Sequence, residues 1–333
     1  MNITCGIDWA EGHHDVAPMD DRGTILAHAR IDTGPGGFAA LLRMIAQQGG
    51  CAQSTPIGIE TDKNLLVVAL ACVGFSVYPI NPRAVARYRE RFGQAGGKSD
   101  AADAAILADI LRTDRHQHRQ LPAVSESAAA VKALARQHQE AVWALHQTTS
   151  RLRSVLLEFY PQALVAFPHL TQRAALTVLA AAPTPGKGRR LTRARIVALL
   201  RKCGRRNDPS LVEHIHVTLR QPALRQPEPV EAALGITVMS EVAIIMSMLD
   251  AVALLEDAMT AEFEQPPLAP ILRSVPGLGP VLAARVLAEV GDDPLRFPTA
   301  AGLRAYAGTA PVTRASGRSS YVKARKVGNK PAG

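Results

Sequence analysis

Four carboxylates are spaced so that they could act together. Asp8 closes the apolar run "NITCGID", and Glu60 closes a second one, "PIGIE". Asp100 and Asp103 stand three residues apart in "KSDAADAAILADILR", which puts both on one face of a helix. A charge released at the end of a buried strand is costly unless a cation or hydrogen-bond donors meet it. Gathered together, such hard oxygen ligands suit Mg²⁺, which shares its coordination with substrate phosphates. Two ions held this way clamp the attacking and leaving oxygens of a phosphodiester. Taken singly, the same residues have plainer roles. Asp100 and Asp103 could cap or charge the first turn of their helix, and Asp8 and Glu60 could each begin a loop. Asp62 could support the site or cap a helix of its own, while Asp15, Asp20 and Asp21 fall in or near a hairpin and weigh less.

Only a sheet can bring such strand ends side by side. The first 112 residues alternate accordingly. "DVAPMD", a turn at 21–23 and "TILAHARI" predict a hairpin, and "GGFAALLRMIAQQGG" a helix bounded by glycines. A helix ending at Gly74, the strand "FSVYPIN", a short basic helix "RAVARYRERF" and a closing helix over 99–112 follow. Strands first, then alternating helices and strands, predict one mixed sheet with helical cover.

Beyond residue 125 the period changes. Val131, Leu134, Val142, Leu145, Leu152, Leu156 and Phe159 fall at helical spacings through one very long segment. A helix of that length calls for a long partner, and 241–263 supplies a candidate. Between them, 161–229 is broken by prolines and predicts an inserted helical subdomain. From 271, "VPGLGPVLAARVLAEVG" is a glycine-rich turn before an apolar helix, an arrangement able to hold a phosphate.

The chain has 333 residues, enough for two domains with a sizeable core. Hydrophobic residues are 47% and aromatics only 4%, so the core must rest on Ala, Leu and Val, which suits packed helices. The four cysteines are scattered with no C-x-x-C pair, which argues against a disulfide framework or a cysteine zinc site and fits a reducing cytoplasm. No unbroken run of about 18 apolar residues is present, so no membrane span is expected, and the N-terminus lacks the pattern of a signal peptide. The net charge is +9, and it is clustered: 187–206 holds nine Lys and Arg, 314–330 holds six, and neither run holds an acid. Runs of this kind neutralise nucleic-acid phosphates. The candidate contacts are Arg189, Arg190, Arg193, Arg314, Arg318, Lys323, Arg325 and Lys326.

In order and spacing, several segments resemble one family: "GIDWAEGHHDVAPMDDRG", "GIE" ending at Glu60, "INP" ending at Pro82, "KSDAADAAILADILR", "SVPGLGPVLAARVLAEVGDDPLRFPTAAGLRAYAGTAP" and "TRASGRSSYVKARKVGNK". They are similar to DEDD-type transposases of the insertion-sequence one-ten family, the bridge-RNA-guided recombinases. The resemblance implies an N-terminal RuvC-like domain with an RNase H-like mixed sheet over 1–115. Long coiled-coil helices over 125–265 would follow, with the basic insertion at about 161–229, and then a small, mainly helical C-terminal transposase domain over 270–333. By motif, the family's four metal-binding acids fall on Asp8, Glu60, Asp100 and Asp103, and its serine nucleophile on Ser316. Members usually continue past the "GN" segment, so the C-terminal domain is expected to be truncated. On its own residues "SGRSS" reads as a solvated turn offering Ser316, Ser319 or Ser320, and a serine hydroxyl needs a metal or a base to become a nucleophile.

The expected function is Mg²⁺-dependent cleavage and rejoining of DNA, with two ions, a covalent phosphoserine at Ser316 and a noncoding guide RNA. A homo-oligomer, dimer or tetramer, would bring the serine and the acids together. The alternatives are a RuvC-like junction resolvase or nuclease that uses water, or an inactive nucleic-acid-binding remnant.

Overall fold

The structure is a computed structural model that describes residues 2–90, 99–204 and 208–324. The chain divides into two compact units, Met1–Ala123 and Val124–Gly333.

The first unit is a five-stranded sheet. Strands β1 (Thr4–Trp9), β2 (His13–Met19), β3 (Ala29–Asp32), β4 (Ile57–Ile59) and β5 (Val77–Pro79) lie in the order β3-β2-β1-β4-β5. β1 pairs antiparallel with β2, and β2 with β3, whereas β1–β4 and β4–β5 are parallel. This is the mixed sheet expected of an RNase H-like fold. The outer arm of the hairpin is shorter than its sequence suggests: β3 spans four residues, and Ile25 makes only an isolated bridge to Met19.

Alternation along the strands decides what covers each face. Cys5 and Ile7 of β1, with Val16, Ile57, Ile59 and Val77, pack on Leu41 and Ile45 of α1 (Pro35–Gln47) and on Val67 and Leu70 of α2 (Leu65–Cys72). The opposite face carries two glycines paired across neighbouring strands, Gly6 and Gly58. On them lies α4 (Asp100–Asp114), flanked by α3 (Pro82–Arg89), with Val85, Ile106, Leu107, Ile110 and Leu111 buried. A Cβ at Gly6 would come 1.9 Å from the Ala104 carbonyl oxygen and 2.6 Å from the Ala108 nitrogen, and one at Gly58 would come 2.8 Å from the Leu107 carbonyl oxygen. The helix backbone therefore rests directly on two strand backbones, which only glycine permits.

The second unit is built on two long helices, α5 (Glu126–Phe159) and α11 (Glu228–Phe263). Each runs roughly 50 Å at 1.5 Å per residue. They are antiparallel. Val131 and Ala135, near the start of α5, share a core with Met259 and Phe263 at the end of α11, whereas Leu152 and Leu156 share one with Val238 and Val242. Short helices α6 (Pro161–Ala166), α7 (Arg173–Ala181), α9 (Arg193–Lys202) and α10 (Pro209–Thr218) complete the latter core, with α8 (Pro185–Arg190) between α7 and α9 in the chain. Side chains of Thr184, Thr192 and Asp208 cap α8, α9 and α10.

The partner helix thus begins at Glu228, well before the 241 predicted from periodicity. It contains an 18-residue window apolar enough to cross a bilayer by length and composition alone. Here its buried Val238, Val242 and Ile245 pack in the helical core, and Glu231, Glu241 and Asp250 along it pair with Arg225, Arg151 and Arg173.

At the other end of the long pair, α12 (Ala269–Arg273) and α13 (Pro280–Val290) close the second core through Ala283, Ala284 and Leu287. Arg285 of α13 reaches the buried His138 of α5 at 3.0 Å, and Ser125 binds the Asp292 carboxylate through its amide and its hydroxyl. A short helix α14 (Ala300–Tyr306) follows. The chain then forms an antiparallel hairpin, β6 (Val312–Ser316) and β7 (Ser319–Lys323), where the sequence suggested only a turn.

Candidate metal centre and serine hairpin

The packing of α4 on Gly6 and Gly58 sets the geometry of the acids. Asp8 lies two residues beyond Gly6 and so shares the face that α4 covers. Asp100 and Asp103 occupy the first turn of that helix. The effect is visible on Asp8, whose carboxyl is pushed up to about 6, first by burial and then by the negative charges of Glu60, Asp103, Asp100 and Asp15. Glu60, Asp100 and Asp103 are thus close enough for their charge to act on Asp8, beside the C-terminal ends of β1 and β4, but of these four acids only Asp100 belongs to a group of ligand atoms lying within 4.8 Å of one another among the described residues.

The plainer reading of Asp100 and Asp103 as helix caps is filled by another residue. Ser99 is the N-cap, and its Oγ accepts from the Ala102 amide at 3.2 Å. Asp62 likewise does not cap α2, because Asn64 does, accepting from the Val67 amide at 2.7 Å. Asp103 is 3% exposed, far more buried than a first-turn charge needs to be. Its partner is Arg89 of α3, whose Nε donates to Oδ1 at 3.0 Å.

Three further residues join this cluster: Asp15, which weighed less in the sequence, and His13 and Arg30, which the sequence did not single out. In register, Asp8 faces Asp15 on β2, and Asp15 faces Arg30 on β3. Arg30 Nε donates to the buried Asp15 at 3.1 Å, and its Nη2 reaches Asp100 at 3.3 Å. His13, two residues before Asp15 and on the same face, lies 3.8 Å from Asp15 and 3.9 Å from Asp100. Ligand atoms of His13, Asp15 and Asp100 all fall within 4.8 Å of one another. The clue in the sequence was the period-two placing of His13 and Asp15 opposite Asp8 in a hairpin.

Carboxylates crowded until one resists ionisation are short of positive charge. Arg30 and Arg89 supply part of it. The donor set is oxygen-rich with one imidazole, a chemistry that fits a divalent cation.

The predicted serine belongs to the other unit. Ser316 ends β6 and pairs with Ser319 across a two-residue turn, Gly317–Arg318, with Gly317 at φ +56°. Positive φ at the first turn residue alone matches a II′ turn, which wants glycine there. Arg314, Arg318 and Lys323 are exposed on this hairpin, whereas Arg325 and Lys326 lie outside the described residues. Arg189 and Arg190 are exposed on α8. Arg190 also lines a cavity of about 570 Å³ with Lys187 and Arg225. Arg193 is already committed, forking onto Glu213 at 2.6 and 2.8 Å. Before α13, Gly277 takes φ +84° and the cap residue Gly279 brings no side-chain partner to the first amides.

Comparison with known proteins identifies the family. The transposase family model DEDD_Tnp_IS110 matches residues 5–161, and that of the transposase IS116/IS110/IS902 family matches 269–332. The "Mini-circle putative transposase for IS117" of Streptomyces coelicolor is 46% identical over 99% of this chain and 81% of its own length. An uncharacterized 42 kDa protein of insertion element IS900 from Mycobacterium paratuberculosis is 31% identical over 96% of the chain and 79% of its own length. A 43.6 kDa protein of IS110, also from Streptomyces coelicolor, is 34% identical over 67% of the chain and 55% of its own length. With its first and last segments both matched and a close relative along almost its whole length, the chain belongs to the IS110 family of insertion-sequence transposases.

Proposed function

We propose that this transposase cuts and rejoins DNA by Mg²⁺-dependent chemistry through a covalent phosphoserine, with a noncoding RNA guiding the choice of target. The observation that supports the reading is the packing of α4 on Gly6 and Gly58, which brings the helix turn bearing Asp100 and Asp103 to the face of the sheet that carries Asp8. Those three acids and Glu60 would hold the metal, taken as two ions. Bound there, Mg²⁺ supplies positive charge to the attacking and leaving oxygens of a phosphodiester.

The remaining work falls to the chain itself. Ser316 Oγ replaces one sugar oxygen on phosphorus: the Oγ–P bond forms, the P–O bond to that sugar breaks, and the sugar leaves as a free hydroxyl. The proton lost by the serine balances the proton gained by the sugar. One phosphoester replaces another, so the strand can be rejoined without an external energy source. The acids and Ser316 belong to different units, so catalysis requires the serine to be presented to an acid cluster of its own or a second copy. A dimer or tetramer is the proposed assembly. Arg189, Arg190, Arg314, Arg318 and Lys323, with Arg325 and Lys326, would follow nucleic-acid backbones irrespective of sequence, and Arg193 would join them only by leaving Glu213. Specificity would then reside in RNA–DNA pairing.

The test is incubation of the full chain with element-end DNA, the element's noncoding RNA and Mg²⁺, followed by a denaturing gel. A covalent protein–DNA adduct is expected, and it should vanish in Ser316→Ala. An intact, RNA-loaded chain that yields no adduct overturns the reading. Cleavage that persists in Ser316→Ala would instead mark a nuclease using water.

A further inference from the structure

The hairpin that carries Ser316 has two chemically different sides. In an antiparallel pair, directly opposite residues share a face, and faces alternate along each strand. The register is Val312↔Lys323, Thr313↔Val322, Arg314↔Tyr321, Ala315↔Ser320 and Ser316↔Ser319. One face therefore presents Arg314, Ser316, Ser319, Tyr321 and Lys323, with Val312 at its edge. The other presents Thr313, Ala315, Ser320 and Val322, with no charge at all. Lys323 Nζ sits 5.3 Å from the centre of the Tyr321 ring, as two residues of one face should.

Every residue of both strands is exposed. A lone two-stranded hairpin is marginal in water and is held by whatever covers it. Charge says what the polar face awaits: it bears two cations, and residues 294–333 contain no Asp or Glu. Cations interleaved with an aromatic ring fit a nucleic-acid strand whose phosphates meet the cations and whose base lies on the ring. Only an unpaired strand offers a base face.

We propose that the Arg314–Tyr321–Lys323 face of the hairpin receives an unpaired DNA strand, and that Tyr321 stacks on a base so as to place the neighbouring phosphate at Ser316. Tyr321 is thus a positioning residue. Its role beside Ser316 rests on the serine chemistry proposed above, but the stacking surface can be tested separately.

The experiment uses the full chain and a short single-stranded oligodeoxynucleotide carrying 5-iododeoxyuridine, which cross-links under ultraviolet light to aromatic side chains stacked on it. The cross-linked peptide, identified by mass spectrometry, should contain Tyr321. Tyr321→Phe should keep the cross-link and the affinity, because the ring and not the hydroxyl does the stacking. Tyr321→Ala should lose the cross-link and bind about tenfold more weakly. Val322→Ala, on the uncharged face, should bind as the parent does. Cross-links that map only elsewhere, or a Tyr321→Ala chain that binds as tightly as the parent, overturn the proposal. Adduct formation on element-end DNA separates the two readings. An adduct that forms equally fast in Tyr321→Ala sinks the stacking role and leaves the serine chemistry standing. A Tyr321 cross-link in a chain that never forms an adduct upholds the surface and sinks the serine chemistry.

Discussion

The acid cluster and the serine hairpin sit in opposite surroundings. Asp103 is 3% exposed and held by Arg89, in the first turn of a helix pressed backbone to backbone on the sheet. Ser316 stands on a ribbon whose residues are all exposed and whose shape depends on one glycine turn. One region is crowded with negative charge, whereas the other has positive charge and no acid near it in sequence. Metal ligands, the role proposed for these acids, must converge before any substrate arrives, and a fold that positions them has to tolerate the electrostatic cost, as active sites do. A nucleophile carried on a bare ribbon, the role proposed for Ser316, would be ordered by the strand it attacks.

That contrast breaks most visibly at the glycines. Gly6→Ala puts a methyl group against the backbone of Ala104 and Ala108, which cannot move without lifting α4 off the sheet. We expect a loss of at least about 3 kcal/mol, read as a lowered melting temperature, and with it the loss of metal binding. A variant as stable as the parent would show that α4 does not set the cluster.

Asp103→Asn is the next largest effect, and it falls on activity. The amide keeps the size of the side chain but loses its charge, and the loss of several kcal/mol of metal-dependent stabilisation slows cleavage on the order of a thousandfold. DNA binding through the basic face should be unchanged. Equal cleavage by parent and variant would return Asp103 to a purely structural partner of Arg89.

Much of the acid site was legible because each part was local. A period-two apolar run announces a buried strand, and an acid at its end is conspicuous, which exposes Asp8 and Glu60. The spacing of Asp100 and Asp103 is a property of one helix. His13, Asp15 and Arg30 were harder, since they become neighbours only through the register of three strands, which no single segment encodes. Arg89 meets Asp103 across two helices whose packing depends on the bare backbone at Gly6 and Gly58. The serine hairpin escaped for another reason. Neither of its faces is apolar, so it carries no hydrophobic alternation, and only the Gly317–Arg318 turn was visible. The helices between 161 and 218 are short and broken by prolines, too brief for periodicity to locate each one.

A smaller effect sharpens the electrostatic half of the contrast. The Asp8 carboxyl is raised in the folded chain from 3.8 to about 6, so ionising it costs stability. That cost is fully present above about pH 6 and is relieved as the pH falls from there toward the unfolded value. Metal-free protein should therefore gain stability on acidification through that window, and Asp8→Asn should flatten the gain while stabilising the chain at pH 7 by at most about 3 kcal/mol, and by less once solvent screening of this half-buried carboxyl is counted. Mg²⁺ bound at the proposed site would act in the opposite direction, stabilising the ionised cluster. The rise in melting temperature on adding Mg²⁺ should be largest at pH 7 to 8 and should fade as Asp8 takes up its proton. A Mg²⁺ response independent of pH, or unchanged in Asp8→Asn, would remove Asp8 from the ligand set.

The smallest expected effect is at the turn. Gly317 sits at φ +56° with nothing within 4 Å of where a Cβ would be, so Gly317→Ala meets strain but no collision. The strain is about 1 kcal/mol, roughly a fivefold loss in the population of the correct turn. The hairpin adds nothing buried to its unit, so the melting temperature should not move. The rate of adduct formation and the affinity for single-stranded DNA should each fall severalfold, because the strand must now order the ribbon against that strain. If Gly317→Ala instead melts early, the hairpin is part of a packed core, and the contrast between a built site and a ribbon ordered by its substrate fails.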